Sequence, residues 1–152
     1  MKRRSSKAPR TAVWLLAAVL AGPVLAFDFK SVDAPAAVLY DAPSSKGKKT
    51  FLLRRYTPVE VLVGVEGFVK VREPEGAIGW VEKSVLTDKR QVQVSAPKAQ
   101  IRAAASVGSA LVFEAEKGVA LELVEPAREG WAKVRHLDGQ TGMVRVTQVW
   151  GL

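Results

Sequence analysis

The sequence has 152 residues, with 23 Lys and Arg against 15 Asp and Glu, which gives a formal charge of +8. It contains no cysteine and a single histidine, His136. The absence of cysteine excludes disulfides, thiolate-bound metals, a cysteine nucleophile and a lipid-modified cysteine, so the fold must be stable through its core alone.

Residues 1–26 have the composition of a secretory signal peptide. Five basic residues and no acid begin the segment, an uncharged run from Thr11 follows, and Val24 and Ala26 occupy the −3 and −1 positions of a cleavage site. The alternative is a transmembrane anchor, which needs about 20 apolar residues. This run is shorter and is interrupted by a Gly-Pro pair. We therefore expect cleavage after Ala26, export by the general secretion route, and a soluble periplasmic or extracellular product.

Cleavage would change the charge balance. The five basic residues of the segment leave with it, so the mature chain carries 18 basic against 15 acidic side chains, or +3. The pI near 10.0 of the whole chain, which by itself favours a nucleic-acid partner, is then mostly due to the signal peptide. We expect no nucleic-acid partner and no stable membrane span after cleavage. The remaining basic clusters, Lys46/Lys48/Lys49 and Arg54/Arg55, are interpreted as a solvated loop and a strand edge.

The mature segment contains the same pattern twice. Residues 67–81 read GFVKVREPEGAIGWV and residues 130–144 read GWAKVRHLDGQTGMV, with seven of the fifteen positions identical. Upstream, a VEV run aligns with an LEL run at an offset of 62, so one extra residue enters the second copy, and we place it in a loop. A period of this length indicates small domains rather than solenoid repeats. The sequence predicts two of them, at residues 27–89 and 90–152.

Both copies show strand and turn signals in the same order. FVKVR and WAKVR alternate, which predicts strands with Val69 and Val71 on one face. An acidic residue followed by Gly76 or Gly139 precedes the next strand, which predicts a hairpin turn with positive φ at the glycine. No stretch of the mature chain shows a sustained helical period. We therefore predict two all-β domains, each a small, strongly bent sheet or barrel.

These residues resemble a known family, the bacterial SH3 domain. The matching positions are Leu39, Pro43, Ser44, Val59-Glu60-Val61, Gly67, Lys70-Val71-Arg72, Gly76, Gly79-Trp80-Val81 and Leu86 in the first copy, and Ile101-Arg102, Ser106, Gly130-Trp131, Lys133-Val134-Arg135, Gly139, Gly142, Val144 and Val149 in the second. The resemblance implies an all-β fold of two tandem small SH3-like barrels without a catalytic domain. The chain departs from the family pattern at Phe68 and Met143, where the family has Trp, and at Ala105, which replaces Pro43. We therefore expect the two copies to present different aromatic surfaces.

Six aromatic side chains are the candidate ligand-binding residues: Tyr40, Tyr56, Phe68, Trp80, Trp131 and Trp150. An amphipathic ring suits a wet recognition groove, but in a domain of about 60 residues a given Trp is more often part of the core. We expect Trp131 in the core, Trp80 partly exposed and Tyr40 at a strand edge.

Catalytic and metal sites are not indicated. Ser/His/Asp catalysis needs a histidine held by an acid with a serine in reach, and His136 lies with Asp138 in a predicted turn where both should point into solvent. Glu73, Glu75 and Glu82 are placed around an exposed hairpin without an apolar pocket that could raise a pKa. One histidine is a poor basis for a zinc site. We expect no enzyme activity, no cofactor and no metal.

Two functional classes remain open. The first, which the resemblance favours, is an exported binding module that docks on peptidoglycan, through its stem peptides, or on a cell-envelope peptide. The second is a structural or assembly adaptor that binds another envelope protein. The sequence leaves both the ligand and the oligomeric state open.

Overall fold

The computed structural model describes residues 27–152. The predicted signal peptide lies outside the described residues and stays a prediction. Within them, no helix is long and apolar enough to cross a bilayer.

The described chain is built from strands. They are β1 (Asp28–Val32), β2 (Ala36–Tyr40), β3 (Lys49–Arg54), β4 (Pro58–Val65), β5 (Phe68–Arg72), β6 (Ile78–Glu82), β7 (Leu86–Thr87), β8 (Gln91–Val94), β9 (Lys98–Arg102), β10 (Leu111–Glu116), β11 (Ala120–Arg128), β12 (Trp131–Arg135), β13 (Thr141–Arg145) and β14 (Val149–Trp150). A single turn of 3-10 helix, Lys83–Val85 or Val146–Gln148, precedes the last strand of each set of seven.

The strands form two antiparallel sheets of the same topology. The first has the order β3-β2-β6-β5-β4-β1-β7 and the second the order β10-β9-β13-β12-β11-β8-β14. Each strand of the first sheet therefore has its counterpart seven strands later. The prediction of an all-β chain with two tandem barrels is confirmed.

The two cores are built from equivalent residues. Each of the eight side chains of the first core has a counterpart in the second, at an offset of 62 residues before the insertion and 63 after it. The pairs are Val32/Val94, Ala37/Ala99, Leu39/Ile101, Leu53/Ala115, Val59/Leu121, Val69/Ala132, Val71/Val134 and Val81/Val144. Burial of a Val or Leu side chain contributes about 1.5–3 kcal/mol, so these positions stabilise each barrel.

The extra residue of the second copy lies in a strand, not in a loop as predicted. Strand β11 has 9 residues where β4 has 8. The pairing of β4 with β5 shifts register once, between Val61 and Val63. The pairing of β11 with β12 shifts twice, first between Leu123 and Glu125 and again before Arg128. A bulge accepts one extra residue without changing the strands around it, so the core alignment survives the insertion.

The hairpin turns agree with the prediction. Gly76 has φ +99 and Gly139 has φ +93, in the left-handed region that glycine accepts without a steric penalty. An equivalent backbone hydrogen bond closes each turn: Gly76 N–H donates to Glu73 O at 2.9 Å, and Gly139 N–H donates to His136 O at 3.0 Å.

A second pair of glycines lets each barrel close. A Cβ at Gly142 would lie 2.5 Å from Ile101 Cγ2 and 2.7 Å from the carbonyl oxygen of Arg102. At Gly79 it would lie 3.0 Å from the carbonyl oxygen of Tyr40. Both glycines stand where the strand after the hairpin approaches the second strand of its barrel, β13 against β9 and β6 against β2. The glycine of each Gly-Trp or Gly-Met pair is therefore needed for close approach of two backbones.

The two barrels contact each other directly. The ring of Phe29 in β1 meets the ring of Trp150 in β14 edge-on, with centroids 5.0 Å apart. Arg90, in the connection between the sheets, donates from Nη2 to the carbonyl oxygen of Gly151 at 2.7 Å and stacks over Phe29 at 5.4 Å. Burial lowers the pKa of the Arg90 guanidinium. These contacts hold one side of each barrel against the other.

Candidate ligand-binding face

Three of the six candidate aromatic residues come together on the outer face of the first barrel. Tyr40 of β2 is the register partner of Trp80 in β6, and its ring meets that of Phe68 in β5 edge-on, with centroids 6.3 Å apart. Lys70 Nζ lies 5.9 Å from the centre of the Trp80 ring. These side chains point outward because alternate positions of the same strands fill the core. We call Tyr40, Phe68, Lys70 and Trp80 the aromatic face.

The members of this face differ in accessibility. Tyr40 is only 8% exposed, so its ring packs against that of Phe68 and offers little surface to a ligand. It does not lie at a strand edge as expected, because β2 pairs with β3 on one side and β6 on the other. Phe68 and Trp80 are half-buried, which agrees with the expectation for Trp80. A ligand on this face would contact mainly these two rings.

A shallow depression adjoins the aromatic face. Its volume is about 160 Å³, and it is lined by Ala36, Ala37, Val38, Tyr40, Val81, Glu82 and Val85. Pockets for whole small molecules are about 300–1,000 Å³, so this one has room for a single side chain. Glu82 lies opposite Phe68 across the β5–β6 pair, while Lys70 lies over Trp80. The face thus offers apolar rings between an acid and a base.

Sequence reasoning missed Lys70 and Glu82 as members of this site. Both belong to the repeated strands, but a charged residue on a strand is most simply read as a solvated position. Their positions could have been inferred by aligning FVKVR with IGWVE as a hairpin, which places Lys70 beside Trp80 and Phe68 beside Glu82.

The equivalent face of the second barrel is cationic. Its residues are Arg102 for Tyr40, Trp131 for Phe68, Lys133 for Lys70, Met143 for Trp80 and Arg145 for Glu82. The guanidinium of Arg145 stacks over the Trp131 ring at 5.4 Å. The expectation that the two copies present different aromatic surfaces agrees with this arrangement.

Trp131 is buried, although not in the core cluster where we expected it. It is 8% exposed. The next residue, Ala132, and Val134 point into the core, so Trp131 occupies the opposite side of β12. Trp131 therefore lies on the outer face of the second barrel, and its ring is buried there because the Arg145 side chain covers it.

Tyr56 and Trp150 do not join either face. Tyr56 lies in the turn between β3 and β4 with φ +69, under the guanidinium of Arg55 at 5.1 Å, and Gly118 with φ +90 takes its position in the second copy. Trp150 lies at the junction of the barrels against Phe29. The sequence alone could not distinguish Tyr56 and Trp150 from the aromatic residues of the face, because only the strand pairing shows on which part of the barrel each ring lies.

Glu73 corrects our expectation of an exposed carboxylate. It is 3% exposed, its Oε1 accepts from the Ala77 N–H at 2.6 Å, and its Oε2 accepts from the Glu75 N–H at 2.9 Å. The carboxylate therefore satisfies two backbone donors of the first hairpin turn, and burial without such partners would be costly. The hydrogen bonds within the turn therefore explain why this carboxylate is buried, and no catalytic role is needed to explain it.

His136 and Asp138 contact each other instead of pointing separately into solvent. Nδ1 of His136 lies 3.0 Å from Oδ1 of Asp138. Hydrogen bonds from the backbone and side chain of Gln140, and from His136, lower the pKa of Asp138 to about 2. The pair caps the second hairpin turn as Glu73 caps the first. In the part of the chain that the structure describes, no three His, Asp or Glu side chains are grouped closely enough to hold a metal ion.

Two family models match the chain. Both are described as bacterial SH3 domains, and they cover residues 35–87 and residues 95–151. No curated protein matches.

Solved structures with similarity to the chain include three NlpC proteins. NlpC2 from Trichomonas vaginalis is 14% identical with a TM-score of 0.39, over 84% of this chain and 49% of that one. An NlpC/P60 family protein from Bacillus cereus is 18% identical with a TM-score of 0.39, over 81% and 56%. NlpC1 from Trichomonas vaginalis is 15% identical with a TM-score of 0.39, over 90% and 50%. The chain spans about half the length of these structures.

Proposed function

Because the chain belongs to the bacterial SH3 domain family, with two such domains in tandem, we propose that it is an exported, non-catalytic module that docks on peptidoglycan stem peptides or on another cell-envelope peptide. Export rests on the signal-peptide composition of residues 1–26.

The aromatic face is the observation that carries this proposal. Phe68 and Trp80 offer half-buried rings, and such amphipathic rings suit a binding surface that stays in contact with water. The depression beside Tyr40 takes one side chain of a peptide, with Glu82 placed to pair with an amine and Lys70 with a carboxylate. A short envelope peptide with small apolar side chains, amines and carboxylates matches these features.

The carboxylates near the hairpins support a non-catalytic role. Glu73 and Asp138 are both occupied by hydrogen bonds to the turns that contain them. The His136–Asp138 pair serves the turn as well, and the low pKa of Asp138 makes this carboxyl a poor proton donor at neutral pH. Nothing in this arrangement poises an acid or a base for reaction.

Trp80→Ala is expected to lower retention on purified sacculi about fivefold or more, since a buried or stacked aromatic ring accounts for about 1–3 kcal/mol of binding. The measurement is co-sedimentation with sacculi, with the melting temperature recorded in parallel. Met143→Ala is the matched control, because Met143 holds the equivalent position of the second barrel. This control should be retained like the wild type.

The two variants together also separate the two classes of function. Equal retention of both variants at wild-type level would contradict a role for the aromatic face in wall binding. The adaptor function predicts a different result. The wild type would then not be retained by sacculi but would bind one defined protein from an envelope extract, and Trp80→Ala would lose that protein.

A further inference from the structure

The free edges of the two sheets carry opposite charges. Strand β3 ends the first sheet and pairs only with β2, and β10 ends the second and pairs only with β9, within residues 27–152. The opposite ends, β7 and β14, are only two residues long. Strands β3 and β10 each have six residues, and an exposed edge of this length is a template for pairing with another strand.

Both long edges also expose apolar side chains. Phe51 and Leu52 in β3 are 46% and 60% exposed, and Leu111 in β10 is 48% exposed beside Val112. Only Leu53 of β3 and Ala115 of β10 are buried. Exposed apolar side chains on an unpaired edge favour a contact that covers them.

The charges decide which edges can meet. Strand β3 carries Lys49 and Arg54, whereas β10 carries Glu114 and Glu116. Arg54 and Glu116 occupy equivalent positions of the two copies, so the copies have diverged to opposite charge at the same point of the edge. In a parallel register, two β3 strands or two β10 strands would place like charges side by side, which is unfavourable, while β3 against β10 places Arg54 beside Glu116.

The side chains that carry these charges point the same way. In β3, Leu53 faces the core, so Leu52 and Arg54 face outward; in β10, Ala115 faces the core, so Glu114 and Glu116 face outward. Strands that pair edge to edge keep outward residues beside outward residues. Glu114 is already paired with Lys98 on β9 at 3.0 Å, whereas neither Arg54 nor Glu116 makes an ion pair within residues 27–152.

We propose that β3 of one copy pairs edge to edge and in parallel with β10 of a second copy, which sets Arg54 beside Glu116, so that the chain associates head to tail with itself. Because the two edges differ, the contact is heterologous, and association continues to further copies unless the geometry closes a ring. The contact leaves the aromatic face free and does not depend on the proposed function.

The test is sedimentation velocity of the purified protein over a broad concentration range at low and high salt. The wild type is expected to associate reversibly, and more weakly at high salt because exposed charges are screened. Arg54→Glu and Glu116→Arg should each weaken association about tenfold or more. Both positions are exposed, so melting temperatures should stay near that of the wild type. Lys83→Glu, which makes the same charge change as Arg54→Glu but away from both edges, is the matched control for that variant and should associate normally.

A charge swap makes the test specific to these two strands. Mixing the Arg54→Glu and Glu116→Arg proteins, or combining both changes in one chain, restores opposite charges across the contact and should restore association. A wild type that remains monomeric at low salt and high concentration would overturn the proposal. Loss of association in both single variants without recovery in the swap would also overturn it, since the strands would then contact something other than each other.

Discussion

Trp131→Ala is expected to lower the free energy of unfolding of the second barrel by roughly 3–5 kcal/mol, the range for truncating a buried Phe or Trp. Trp131 is 8% exposed, so nearly all of its ring is removed from water in the fold. A small domain has about 5–15 kcal/mol in total, and one of about 60 residues lies near the lower end. The variant should therefore lose most of the strand signal of one barrel in circular dichroism, or melt far below the wild type.

Two further variants show whether the effect comes from burial. Trp131→Phe restores the residue type that the first copy has at this position, Phe68, and should keep most of the stability. Trp80→Ala removes a ring that is only half-buried and should cost less than Trp131→Ala. A Trp131→Ala protein that melts like the wild type would show that the ring does not stabilise the second barrel.

Gly142→Ala is expected to cost about 3 kcal/mol or more, at or above the usual range for overpacking. The new methyl group would lie 2.7 Å from the carbonyl oxygen of Arg102 and 2.5 Å from Ile101 Cγ2. Ile101 is fully buried, and the Arg102 carbonyl belongs to the backbone of β9, so neither can move without disturbing the pairing of β9 with β13. Chemical denaturation of the variant measures the loss.

Alanine substitutions at two other glycines, where the new methyl group has more room, should lower the stability less. Gly79→Ala meets the Tyr40 carbonyl oxygen at 3.0 Å, which is less severe, and should cost about 1–2 kcal/mol. Gly64→Ala meets nothing within 4 Å and Gly64 has no positive φ, so this variant should stay within about 0.5 kcal/mol of the wild type or be slightly more stable. Equal stability of all three variants would show that the barrels do not close by close approach at Gly142 and Gly79.

The repeat made the cores predictable. Because alternation along a strand places every second residue on the same side, matching FVKVR with WAKVR also matched Val69 with Ala132 and Val71 with Val134. The hairpin glycines were predictable for a related reason, since a positive φ restricts the choice of residue at that point of the turn.

Other features depended on contacts between strands that the sequence does not show. A bulge in β11 and a longer loop have the same sequence signature, so the extra residue was misplaced. Glu73 is buried because it accepts two turn N–H groups, which requires knowledge of the turn geometry. Trp131 was expected in the core because a large ring in a small domain usually lies there, whereas its strand position turns it to the outer face.

The two copies have kept the core and diverged at the surface. The equivalent outer faces changed from Tyr40 and Trp80 to Arg102 and Met143, while the core pairs stayed apolar. Conserved packing with a changed surface is expected when the fold must be retained but the binding partners of the two domains differ. The first barrel then has the ligand-binding role in our account.

The most direct test of this account is a nuclear magnetic resonance titration of the protein with soluble peptidoglycan stem peptides. We expect saturable shifts of the Trp80 indole N–H and of the backbone signals of Phe68 and Lys70, which form the aromatic face. The Trp131 indole should not shift, because Trp131 lies on the cationic face of the other barrel. Shifts confined to the second barrel, or the absence of any saturable shift at Trp80, would contradict the assignment of the aromatic face as the binding site.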